Sequence, residues 1–125
     1  MNSNDPVGSI GVAVELERDV RALGDSLRHL VERSDVTEVI NSLRRAQLET
    51  GRVYTALAVW HGARDSESSA ESDPEHGRPR NPAWRRAEVA LEEAAQYTAD
   101  AAAALARARD AALSARWFEE IRTDE

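Results

Sequence analysis

The stretch from Pro82 to Ile121, PAWRRAEVALEEAAQYTADAAAALARARDAALSARWFEEI, decides the fold. Ala87, Ala94, Ala101, Ala108 and Ala115 recur at every seventh position. Trp84, Leu91, Thr98, Leu105 and Ala112 hold the adjoining position of the same repeat. A seven-residue period marks helices that pack lengthwise on one another, and a stripe of methyl groups allows a closer approach than a leucine seam. Asn81 is a good helix cap, and Pro82 suits the first helical position, where its missing amide would lack a partner anyway. Neither proline nor glycine interrupts the run as far as Ile121. At ~1.5 Å per residue the expected rod is about 60 Å long. That is more than the core of one compact small domain accommodates.

Upstream, two further helices are expected. Leu16, Val20, Leu23, Leu27 and Leu30 repeat at spacings of four and three, placing an apolar stripe on a helix from about Ile10 to Arg33. The phase then slips, because the same register continues onto Ser34, Thr37 and Asn41, whereas a new stripe runs through Val36, Ile40, Leu43, Val53, Leu57 and Trp60. Asp35 with Glu38 three residues on has the spacing of a capping box. The second helix therefore spans about Val36 to Trp60, and the two form a hairpin over 9–60 or one bent rod. Residues 1–8 and 122–125 read as tails.

From His61 to Asn81 the chain reads HGARDSESSAESDPEHGRPRN, with no large aliphatic or aromatic residue. Such a segment buries too little apolar area to offset the entropy of ordering it, so 61–81 is expected to be a flexible linker, acidic in its first half and basic at its end. The predicted fold class is all-α: an elongated hairpin or three-helix bundle with coiled-coil-like packing and a long alanine-rich C-terminal helix.

Composition limits function. The formal net charge is −7, from 16 basic and 23 acidic residues, which disfavours nucleic acid or anionic lipid as a partner. All 16 basic residues are arginine, and there is no cysteine. Disulfides, thiolate metal sites, lysine Schiff bases and phosphate-loop lysines are thereby excluded. No window approaches the ~20 apolar residues that cross a bilayer, and no basic, apolar leader opens the chain. The expectation is a cytoplasmic protein with no membrane partner; secretion without a cleavable signal stays open.

Catalysis finds no motif. His29, His61 and His76 lie on different segments, and the spacings of di-iron bundles and zinc hydrolases are missing. Glu92 and Glu93, being adjacent, point about 100° apart. No catalytic residue, cofactor, metal or small-molecule ligand is expected. The sequence points to a non-enzymatic protein acting through helical faces, with itself as a homodimer or another helical protein as partner. Two features mark where that partner would dock. Between Ala94 and Ala106 the third helix carries a single charge, Asp100, so the face of Ala95, Ala99, Ala102, Ala103 and Ala106 is a candidate contact. The cluster of Trp117, Phe118 and Ile121, overhanging the end of the second helix, is the other.

Arg78, Arg80, Arg85 and Arg86 surround Trp84 near the start of the third helix, where positive charge opposes the helix dipole. They form a possible anion-binding patch for phosphate, nucleic acid or an acidic protein, unless Arg85 pairs with Glu88 one turn on. Finally, Trp60, His61 and Gly62 form a Trp-x-Gly that resembles the signature of the WXG100 family of small secreted helical hairpins. The resemblance implies secretion beside a homologous helical partner. The chain departs from that pattern in the long segment after Gly62 and in Tyr97, which has Asp100 at three and Ala101, not an acid, at four.

Overall fold

The computed structural model describes residues 6–29, 33–71 and 82–123, and every one of these is helical. Helix α1 covers Pro6–Ser26 and passes into a single 3₁₀ turn, Leu27–His29; α2 covers Arg33–Glu71 and α3 Pro82–Thr123. The chain divides into two units, Met1–Val36 and Thr37–Glu125.

In the first unit α1 starts at Pro6, within the stretch read as tail, since proline's fixed φ suits the first helical position. It also ends earlier than expected. The Ser26 hydroxyl donates to the Leu23 carbonyl at 2.8 Å, a local bond that competes with the helical ladder, and the 3₁₀ turn follows at once. Leu16, Val20 and Leu27 of the predicted stripe are exposed. Leu30 and the connection to the second helix lie outside the described residues.

In the second unit α2 and α3 pack against each other as an antiparallel hairpin. Three contacts set the register: Arg109 donates to Asn41 Oδ1 at 3.1 Å, Gly51 faces Thr98 and Ala95, and Gly62 faces Glu88. Residues earlier on α2 thus meet residues later on α3. Asp35 falls in the first turn of α2, where a carboxylate complements the dipole, although the helix already begins at Arg33. On α2 the least exposed positions recur at threes and fours through Thr37, Ile40, Arg44, Gln47, Gly51, Tyr54, Ala58, His61 and Asp65. The stripe expected to face inward does so only in part: Ile40 and Leu43 are half-buried, and the later positions are not. Val53 is 56% and Trp60 47% exposed, and Leu57 is also exposed, whereas Ala58 beside it is 3% exposed.

On α3 the row of Trp84, Leu91, Thr98, Leu105 and Ala112 does turn inward. Its companion row is not the one read from the sequence. Ala95 and Ala102 complete the seam with Glu88 and Arg109, while Ala87, Ala94 and Ala101 are half-buried flanks and Ala108 and Ala115 are exposed. The helices approach closely at Gly51. A Cβ added to Gly51 would lie 2.6 Å from Thr98 Oγ1, inside van der Waals contact, so the absence of a side chain there is what lets the helices approach. Thr98 is buried, and its hydroxyl donates to the Ala95 carbonyl at 2.6 Å, so its polar atom is satisfied.

The largest difference from expectation is the end of α2. The helix does not stop at Trp60 but runs through Gly62 to Glu71. Helix continuation needs backbone hydrogen bonds and tolerable propensity, not large apolar residues, and Ala63, Arg64 and Glu67 are good helix formers. Local bonds add to this: Arg64 pairs with Glu67 at 2.8 Å, and His61 Nδ1 donates to the Leu57 carbonyl at 2.7 Å. The remainder of the predicted linker, 72–81, lies outside the described residues.

Candidate protein-interaction site

Small residues inside force large ones outside, and that is what builds the surface of the second unit. Among the described residues only Ala58, Thr98 and Ala102 are buried. The exposed apolar set includes Val53, Leu57 and Trp60 on α2 and Tyr97, Leu113, Trp117, Phe118 and Ile121 on α3. Single exposed apolar residues are ordinary on a protein surface; contiguous helical rows of them are not.

The predicted contact residues do not share one surface. Ala102, 5% exposed, is turned inward, and Ala95 and Ala106 are half-buried; only Ala99 and Ala103 are open. The expectation of a docking face on all five alanines is corrected accordingly: helix phase carries Ala102 into the seam while Ala99 and Ala103 stay on the rim. Ala99 and Ala95 line a shallow groove of about 320 Å³ with Leu48, Gly51, Arg52, Thr55 and Thr98. Gly51 and the alanines create it, having no side-chain volume to fill the space between the helices. Trp117, Phe118 and Ile121 are all exposed, and the first two rings meet edge to face at 5.3 Å.

Near the other end of the hairpin an aromatic cluster joins the helices. Trp60 and Trp84 meet edge to face at 5.7 Å, His61 lies 5.8 Å from Trp84, and the Arg64 guanidinium sits 4.8 Å over the Trp60 ring. Such edge-to-face pairs contribute about 0.5–1.5 kcal/mol beyond area burial, and a cation over a tryptophan about 0.5–1 kcal/mol at an exposed site. This cluster pins the α2–α3 register; the histidine beside the tryptophan and the arginine one turn on are the sequence signals that could have found it.

The arginine patch is not assembled among the described residues. Arg78 and Arg80 lie outside them. Arg85 is bonded to Glu88, and that bond together with the charges of Glu88, Glu92 and Asp65 raises its already high pKa. An incoming anion at Arg85 would face those carboxylates, and Arg86, the next residue along, points about 100° away. The Trp-x-Gly likewise sits in the interior of α2 rather than at a helix end.

Among the described residues no group of three metal-ligating side chains converges, and no helix is long and apolar enough to cross a membrane. No family model, curated protein or solved structure matches the chain.

Proposed function

We propose that this chain is a non-enzymatic assembly protein that works by laying the faces of its hairpin helices against a second copy or another helical protein. One observation carries the reading: two helices of 39 and 42 residues pack together yet bury almost nothing large, with Trp60, Tyr97 and Phe118 all exposed. Two-stranded helical pairs gain most of their stability from buried apolar faces, and a seam in which only Ala58, Thr98 and Ala102 are buried among the described residues, with Leu91 and Leu105 half-buried, supplies little. The missing burial is supplied by a partner. The same reading has the protein working in the cytoplasm, which suits a chain without cysteine for disulfides.

Sedimentation equilibrium of the purified chain, alone and with a lysate of its source cell, tests this. A mass above the 13.8 kDa of one chain is expected in one of the two conditions. A chain that is fully helical, unfolds cooperatively and stays at one-chain mass in both contradicts the proposal.

A further inference from the structure

The two sides of the α2–α3 hairpin are chemically different. In an antiparallel pair of right-handed helices, rows rotated in the same sense from the two seams emerge on the same side of the pair. The groove shows this directly, since Leu48, Arg52 and Thr55 share it with Ala95 and Ala99, all rotated one way. That side mixes charge with apolar residues: Arg45 and Arg52 share a heptad row with Val59 on α2, and Arg85 and Glu92 share one with Ala99 and Leu113 on α3. Rows rotated the other way share the opposite side. There α2 presents Leu43, Thr50 and Leu57 in one heptad row and Ala46, Val53 and Trp60 in the next, and neither row carries a charge before the Arg64–Glu67 ion pair one repeat further on. The matching rows of α3 begin at Ala87 and Ala90. At every seventh position as far as Phe118 they hold only alanine, apart from Tyr97 and Phe118 themselves. The side is open as well as uncharged: Tyr97 is 69% and Phe118 61% exposed.

Resting on the assembly reading above, we propose that this uncharged side is the interface of a symmetric dimer, its occupant being the same side of a second copy. Bulk and space argue for self-pairing. The α2 rows carry leucine, valine and tryptophan, and the α3 rows carry methyl groups, so a two-fold axis running along the hairpin sets α2 of one copy over α3 of the other and places large side chains on small ones twice. Area agrees. Three aromatic side chains of ~150–250 Å² each, about half to two-thirds exposed, offer roughly 300–400 Å². Leu57, Val53 and the alanines bring the face near the ~800 Å² that each partner contributes to a stable complex. Electrostatics agree too: a chain of net charge −7 repels its copy least through a face whose α2 rows hold no charge from Leu43 to Trp60 and end on the mutually neutralising Arg64–Glu67 pair.

The test uses the full chain and two neighbouring alanines that are both exposed. Ala104 lies on the proposed face and Ala103 on the rim beyond it. Sedimentation equilibrium should give two-chain mass for the wild type and for Ala103→Glu, whereas Ala104→Glu should weaken association at least tenfold. Because Ala104→Glu can also cost helicity, cysteine pairing provides a second readout in a chain with no native cysteine. Leu57→Cys chains mixed with Ala90→Cys chains should form mixed disulfide dimers in high yield, and Arg52→Cys with Ala99→Cys should not. Equal effects of the two glutamates, or equal cross-linking of the two cysteine pairs, overturn the assignment of the face. A monomeric wild type that binds a different protein overturns the second copy as occupant and leaves the assembly reading standing. A folded monomer that binds nothing overturns both.

Discussion

The inside of the α2–α3 hairpin and its uncharged outer side differ in the opposite sense from a folded domain. Along the inner seam the buried residues are Ala58, Thr98 and Ala102, and Ile40, Tyr54, Leu91 and Leu105 are no more than half-buried; along the outer side stand Val53, Leu57, Trp60, Tyr97 and Phe118, all exposed. In a self-sufficient protein the larger apolar residues occupy the interior, because each contributes about 1.5–3 kcal/mol on burial. Small residues at the seam bring two backbones together without generating much stability. On the assembly reading proposed above, the contacts inside the hairpin set its register and the larger share of the energy would come from what covers the outer face.

Breaking the outer side should have the largest effect. Leu57→Asp would place an unpaired charge in a covered apolar face and should cost at least ~3 kcal/mol of the assembled state, measured by urea unfolding. Arg52→Asp, on the charged side, should stay within about 0.5 kcal/mol of wild type. If both behave alike, the two sides are equivalent and the comparison fails.

Crowding the seam comes next. Gly51→Leu and Ala102→Leu should each destabilise by about 1–3 kcal/mol through overpacking. Both act on the register rather than on a partner's contact, so in the dimer they should lower the unfolding midpoint without the selective loss of association expected of Ala104→Glu. A stabilising result for both would show that the hairpin does not approach closely at Gly51.

A smaller effect sharpens the register. Asn41 Oδ1 accepts from both Arg44 and Arg109, tying the start of α2 to the end of α3. Asn41→Ala should lose about 0.5–1.5 kcal/mol, detected as faster amide exchange near Arg109.

Much of this was readable from the chain, and the failures have physical causes. Three helices, the Pro82 start and the inward row from Trp84 to Ala112 follow from period and capping, which are local properties. Which flank of that row turns inward is a matter of about half a residue's rotation, and Ala101 and Ala102 offer the same methyl group to either choice. Apolar periodicity on α2 predicts a core face, yet an apolar stripe does not say what lies against it: Ile40 and Leu43 are half-buried, whereas Val53 and Leu57 stay exposed and Trp60 meets α3 at Trp84. The extension of α2 past Trp60 carries no apolar signal, because a solvated helix needs only its backbone hydrogen bonds and tolerable propensity. The Trp60–Trp84 cluster joins residues distant in sequence, so local pattern offers only its α2 half, His61 beside Trp60 and Arg64 one turn on.

The smallest expected effect lies in the first unit, where side chains added at Gly11 and Gly24 would meet nothing within 4 Å. Gly24→Ala should raise the stability of α1 by up to ~1 kcal/mol through propensity alone, read as a gain in helical circular dichroism, with no change in the hairpin's association.

The central claim is that the hairpin is stabilised by covering its uncharged side, and the most direct measurement is the thermal midpoint of the wild-type chain as a function of its own concentration. Association that accompanies folding makes that midpoint rise with concentration by mass action. A steady increase from about 1 to 100 μM, abolished in Ala104→Glu and retained in Ala103→Glu, is the predicted result. A sharp, reversible transition at one temperature throughout that range would contradict the account.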